Sequence, residues 1–291
     1  MVATLTHPIL VFTHIPKTGG QTIVHLLRRH FGLGELSVRA RGRPDFYRPQ
    51  DLRADLRMMP VSPRCLHSHS IRPCVDFQEF EHRLVWFTML RDPIQRYISQ
   101  YLYNYEVMGE RFDVLHFIRH RPDKPNRQVG LLAGTDDLKA AKGHLRRMAW
   151  VGLMERFDES LVLMRERLGL EGMDLRYGQP RNVGDRRRRT LDRQEVRATF
   201  DRHRDEVIAH NKLDLELYEF ARNEIWPQQI AEYGEARLAR HLKTEFCGQA
   251  SRAPYVMRLS VNFAFRNLVY KPWLRVDRSL FSYSPPPLRS A

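Results

Sequence analysis

The 291 residues are enough for one large domain with a sizeable core, and 42% hydrophobic with 28% charged side chains fit a soluble globular chain. No run of about 18 apolar residues occurs, which argues against a membrane-spanning helix, and no basic segment followed by a long apolar one suggests a secretory leader. The 48 Lys and Arg outnumber the 34 Asp and Glu by 14, a surplus that favours anionic partners without choosing among nucleic acid, acidic lipid and charged small substrates.

The first predicted element is a buried strand over Ile9-Leu10-Val11-Phe12-Thr13. His14-Ile15-Pro16-Lys17-Thr18 follows, Gly19-Gly20 break the run, and Ile23, Leu26, Leu27 and Phe31 then recur at helical spacing. The local pattern is therefore strand, tight loop, helix. Two glycines let a backbone come close to a ligand, and a helix N-terminus with free N–H groups favours an anion. Lys17 adds a mobile positive charge and Thr22 a hydroxyl in the first turn. This is the chemistry of a phosphate cradle, although the ATPase spacing G-x-x-x-x-G-K-[ST] is absent and the lysine precedes the glycines. Taken alone, the stretch also reads as an ordinary glycine turn.

Residues 32–64 are expected to be irregular, with Arg39, Arg41, Arg43, Arg48, Arg53 and Arg57 interleaved with Pro44, Pro49 and Pro60. A solvated basic loop is the first reading, and a rim that attracts an acidic acceptor the second. Residues 64–70 predict a short strand with His67 and His69 on one side, since residues two apart share a face. Histidine suits proton abstraction near neutral pH, while a hydrogen-bonded structural pair is the plainer alternative and a metal pair the least favoured.

Leu84-Val85-Trp86-Phe87-Thr88-Met89-Leu90 predicts a strand buried on both faces that runs into Arg91-Asp92-Pro93. Asp92 suits the N-cap, Pro93 the first helical position, and Gln95 the capping-box position. Ile94, Tyr97, Ile98, Tyr101, Leu102 and Tyr105 form an apolar stripe, with Asp92, Arg96 and Ser99 opposite. Arg91 and Ser99 are thereby placed to reach one anion together. Residues 112–148 are predicted helical with breaks at Pro122, Pro125 and Gly134, residues 148–153 a short strand, and Phe157, Leu161, Met164 and Leu168 a helix stopped by Gly169. A basic loop spans residues 181–189, and residues 192–243 are again helical, with Val196, Phe200, Val207, Leu217, Tyr218 and Phe220 facing inward.

After residue 250 the composition shifts to aromatics and arginine, and Pro285-Pro286-Pro287 marks an extended tail. The expected organisation is a main domain over 1–250 and an extension over 251–291, packed on the domain or partly extended. Peripheral membrane contact through that extension is the second reading. Cys65, Cys74 and Cys247 are odd in number and form no C-x-x-C pair, which argues against structural zinc. A reduced, cytoplasmic protein is a more economical reading than a Cys65–Cys74 bridge.

Pro16-Lys17-Thr18-Gly19-Gly20 resembles the 5′-phosphosulfate loop of sulfotransferases that use 3′-phosphoadenosine 5′-phosphosulfate (PAPS), in the branch of the heparan sulfate and uronyl 2-O-sulfotransferases and their bacterial relatives. Leu90-Arg91-Asp92-Pro93, Arg96 and Ser99 resemble the L-R-D-P-x-x-R-x-x-S pattern of the same enzymes, and residues 151–158 a further recurrent segment. Members often carry Thr or Ser directly after the glycines, where this chain has Gln21. The resemblance covers residues 8–225. It implies an α/β, P-loop-like three-layer fold with a central parallel sheet flanked by helices. It further implies that Lys17, Thr18, Gly19, Gly20, Gln21 and Thr22 hold the 5′-phosphosulfate, that Lys17 neutralises the bridging oxygen, and that Arg91 and Ser99 grip the 3′-phosphate. By the same resemblance His69 is the catalytic base with His67 its neighbour or helper, and a basic loop late in the chain, here 181–189, closes over the nucleotide.

The expected activity is sulfuryl transfer from PAPS, leaving PAP, to a hydroxyl of a carbohydrate, glycolipid or other glycoconjugate, in a bacterial, cytoplasmic enzyme that needs no metal and binds no nucleic acid. Three alternatives stay open at this point. They are a nucleotide kinase or ATPase, a nucleotide- or polyanion-binding protein without sulfuryl transfer, and a degenerate sulfotransferase that the Gln21 departure keeps in play.

Overall fold

A computed structural model describes residues 7–41, 46–120, 124–177, 191–246 and 255–279. The apolar runs become strands β1 (Ile9–Thr13), β3 (Cys65–Ser68), β4 (Leu84–Leu90) and β5 (Trp150–Leu153), joined by a short edge strand β2 (Glu35–Ser37). They form one sheet in the order β2-β3-β1-β4-β5, with every neighbouring pair parallel. Every residue of β1 and β5 is buried, and β4 nearly so, because helices cover a parallel sheet on its faces. The fold is α/β, a central parallel sheet flanked by helices.

Helices α1 (Gly20–Phe31), α2 (Pro49–Met58), α3 (Pro93–Tyr103), α4 (Val114–His120), α5 (Arg127–Ala133), α6 (Leu138–Arg147) and α7 (Phe157–Arg167) follow the strands in chain order. From the central strand β1 the chain moves outward to β2 and back through β3, whereas β4 leads the other way to β5. The strand order therefore reverses between β1 and β4, where open parallel sheets bind ligands at the carboxyl ends of the strands. The two sequence segments with phosphate-binding character leave the sheet at that switch point.

Residues 32–64 differ from the expected solvated loop. Pro49 opens α2 instead of breaking the chain, since its missing N–H costs nothing in a first turn. Arg41 and Arg48 are buried: Arg41 donates to Asp55 at 2.6 Å, and the Arg48 side chain reaches Asp51 at 3.3 Å. These two arginines are core ion pairs, so they cannot serve as a rim for an acceptor; Arg53 pairs with Glu79 on the surface. Arg43 and Pro44 lie outside the described residues, as do Pro122, Cys247, the 181–189 loop and the Pro285-Pro286-Pro287 tail. Cys65 and Cys74 are separate buried thiols.

Val196, Phe200, Val207, Leu217, Tyr218 and Phe220 are all buried. The first three join Ile94, Tyr97, Ile98 and Tyr101 of α3 in a second apolar cluster apart from the main core. Three helical runs among the described residues widen into π turns, Asn104–Met108, Ala221–Ile225 and Phe265–Tyr270, and the last two lie just ahead of a proline, Pro227 and Pro272. The proline ring excludes the carbonyl four residues back, and the wider turn accommodates it without ending the helix.

Candidate active site

The loop after β1 is held by its own backbone. Lys17 sits at φ 70° and Gly19 at φ 81°, both left-handed, and the buried Thr18 hydroxyl donates to the Ile15 carbonyl at 2.9 Å. Thr18 therefore turns its side chain inward and presents only backbone to the cleft. The glycines leave room for the protein itself. A Cβ on Gly19 would come within 2.5 Å of Met154 Sδ, and one on Gly20 within 2.2 Å of the His14 ring. Helix α1 starts at Gly20 with no side-chain cap and no acidic residue in its first turn, so no side chain of its own competes with an anion at that end, although the Thr22 N–H already donates to the Gly19 carbonyl at 3.1 Å. Gln21 is exposed there, and Thr22 lies just beneath it, at 9% exposure.

Arg91, at the end of β4, donates from Nη1 to the Lys17 carbonyl at 3.1 Å, across 74 positions of sequence. The Gln128 side chain fixes the Arg91 backbone in both directions, accepting from its N–H at 3.1 Å and donating to its carbonyl at 2.9 Å. Asp214 in turn accepts from the N–H groups of Gln128 and Val129 at the start of α5. Asp92 caps α3 by accepting from Gln95 N–H at 2.8 Å, as its position in the sequence predicts. Glu155 accepts from Asp92 N–H and from the Tyr218 hydroxyl, joining β5 to the same junction.

Arg96, Ser99 and Tyr103 recur on one face of α3. The Tyr103 ring lies 4.2 Å from Lys17 Nζ, and the Arg96 charge acts on both Lys17 and Arg91, so this face looks onto the loop. Arg96, opposite the apolar stripe of α3, is fully buried. Burial, then repulsion from Arg91 and Arg96, bring the Lys17 ammonium down to about 8, with only Glu106 opposing. Burial and Arg96 likewise lower Arg91. Lys17 and Arg91, each destabilised by burial and by neighbouring cations, form a site that an anion would stabilise.

On the other side of the loop stand three histidines. His69 Nδ1–H donates to the His14 carbonyl, which leaves Nε2 as the ring's acceptor. Burial, together with Arg127, His67 and Arg72, keeps His69 below the usual histidine value, although its bond to His14 opposes this. The His14 ring is buried against Gly20 and 4.5 Å from the His69 ring, and burial holds it neutral. His67 is instead engaged by Glu35, which also takes Arg28 at 2.9 Å. The structure thus brings Lys17, Gly20 and Arg91 together with His14 and His69, and turns His67 to the Glu35 carboxylate.

His14, Tyr103, Glu106 and Asp214 went unread in the sequence as parts of the site. His14 carried a signal, a polar residue directly at the end of an apolar strand. The others act across distances that no spacing rule spans. Two strand-to-helix junctions thus face each other across a cluster of cations, an arrangement suited to an anion. Residues 3–221 match the model of the sulfotransferase family, and the chain belongs to that family. Its chemistry is therefore sulfuryl transfer to an acceptor. A search among curated proteins gives no significant match.

Proposed function

We propose that this sulfotransferase moves the sulfuryl group of PAPS to the hydroxyl of a carbohydrate or glycoconjugate, with His69 as general base and Lys17 on the leaving side. The observation that carries the reading is the Arg91–Lys17 contact at 3.1 Å, which makes one cationic site of two strand ends. PAPS bears anionic groups at two ends of its ribose and matches such a site. The N–H groups opening α1, with Thr22 and Lys17, take the 5′-phosphosulfate, while Arg91 and Ser99 take the 3′-phosphate. Thr18 takes part through its backbone alone, because its hydroxyl is already bonded.

His69 has the geometry of a base. Its Nδ1–H is anchored on a carbonyl, which fixes the tautomer and leaves Nε2 to accept the acceptor hydroxyl's proton. Lys17, cationic and close to the loop, balances charge that develops on the departing oxygen. Alignment and charge stabilisation are what such a transfer requires of a protein.

A radiolabelled sulfate transfer screen across polysaccharide, glycolipid and small-molecule acceptors tests this. His69→Ala is expected to abolish transfer while PAP binding stays within about threefold, and Lys17→Ala to weaken both. Equal loss of binding and transfer in His69→Ala removes His69 from the base role. Donor binding with no transfer to any acceptor favours a nucleotide-binding protein that has lost turnover.

A further inference from the structure

The final helical stretch runs through Val256–Ala264, Phe265–Tyr270 and Lys271–Ser279 without a break in helical backbone. Its inner face is pinned to the domain. Asn262 Nδ2 donates to the Gly32 carbonyl at 2.6 Å and to the Glu35 carbonyl at 3.2 Å, and the Tyr270 hydroxyl donates to Asp55 at 3.1 Å. Arg41 lies 4.7 Å from the Trp273 ring, and Leu274 is buried in the main core. These anchors fix which side of the helix faces outward.

That outer side is apolar. Nine large apolar side chains stand exposed among the described residues, and seven lie on this stretch, led by Leu268 at 76%, Met257 at 74% and Phe263 at 68%. Singly exposed apolar residues are ordinary, but a concentration on one docked helix marks a contact surface. The flanking charge is predominantly positive: Arg258, Arg266, Lys271, Arg275 and Arg278 against a single acid, Asp277, near the end of the stretch. Arg39 adds to the cationic field around Arg266 and Lys271.

We propose that this face seats the protein on an anionic lipid surface, with the helix in the plane of the headgroups and Met257, Phe263 and Leu268 inserted. An apolar stripe bordered predominantly by Lys and Arg is the arrangement of an interfacial helix, in which apolar burial and attraction to acidic headgroups add. A second copy of the chain is the poorer occupant, because it would bring four net positive charges against four on a chain already at +14. No described helix is long and apolar enough to cross a membrane, so the contact lies on the surface. It stands apart from the sulfuryl-transfer assignment and is measured without it.

The test is co-sedimentation of the full chain with vesicles of equal parts phosphatidylglycerol and phosphatidylcholine, against phosphatidylcholine alone. Binding is expected on the first, weaker by about tenfold or more on the second and at high salt. Leu268→Glu with Phe263→Glu is expected to lower it by about tenfold or more while far-UV circular dichroism stays unchanged, and the milder Met257→Ser with Leu268→Ser by a smaller factor. Val61→Glu, an exposed apolar site elsewhere, is expected to bind as the parent does. The proposal fails if anionic vesicles do not bind, or if the helix variants bind as tightly as the parent. It also fails if ultracentrifugation shows a dimer that Leu268→Glu dissolves, which would make the face a protomer interface.

Discussion

At the scale of single residues, the site is a balance of charge and protonation. The base role proposed for His69 needs the neutral ring, and burial keeps it neutral to lower pH than an ordinary histidine. The role proposed for Lys17 needs the charged ammonium, and burial with the Arg91 and Arg96 charges makes it lose its proton at about 8. On that proposal, activity is expected to rise as His69 deprotonates and to fall as Lys17 deprotonates. The kcat/KM profile of the free enzyme is expected to be bell-shaped, with a lower limb below pH 6.5 and an upper limb near pH 8. Lys17→Arg is expected to remove the upper limb, because a guanidinium does not titrate there. An upper limb unchanged in that variant would assign it to another group. Gly20 belongs to the same scale: its missing Cβ is the space in which the His14 ring lies.

At the scale of elements, the junction after β4 depends on a neighbour that reaches it from far along the chain. The Asp214 carboxylate accepts two backbone N–H groups at the start of α5, at 3.0 and 2.8 Å, and so sets Gln128, which sets Arg91. Removing it leaves two N–H groups in a dry setting. Asp214→Ala is expected to cost about 2–4 kcal/mol in urea unfolding, against about 1 kcal/mol for the exposed cap in Asp92→Ala. It is also expected to raise KM for the sulfate donor. Equal costs would show that Asp214 contributes no more than a surface cap.

At the scale of the whole molecule, Glu35 ties together three parts. It ends the first connection out of β1, takes Arg28 of α1 and His67 of β3, and receives Asn262 from the terminal helix at 3.3 Å. Burial works against its charge, but His67 and Arg28 outweigh burial and hold the carboxyl at about 2, below its ordinary 4.5. A carboxyl depressed on folding stabilises above its unfolded pKa, and that contribution is lost as pH falls through the folded one. Glu35→Gln is expected to cost about 3 kcal/mol at pH 7, with the gap to the parent closing between pH 4.5 and about 2. Chemical denaturation across that range checks it, and a pH-independent gap would mean that packing, not charge, is lost.

Much of this was legible in sequence, and for a common reason. Strands β1, β4 and β5, the loop–helix pattern at Lys17 to Thr22 and the Asp92-Pro93 helix start are local. Each follows from apolar runs, glycine and proline within a few residues. The three-residue β2 and the helix opened by Pro49 left too weak a periodicity, and arginines that looked solvated proved to be core ion pairs. Only the tertiary structure put Arg91 on the Lys17 carbonyl, anchored His69 on His14, drew His67 away to Glu35 and turned the apolar side of the last helix outward. Local sequence sets what a segment can form, whereas proximity across 55 or 74 positions arises when the parallel sheet stacks its strand ends side by side.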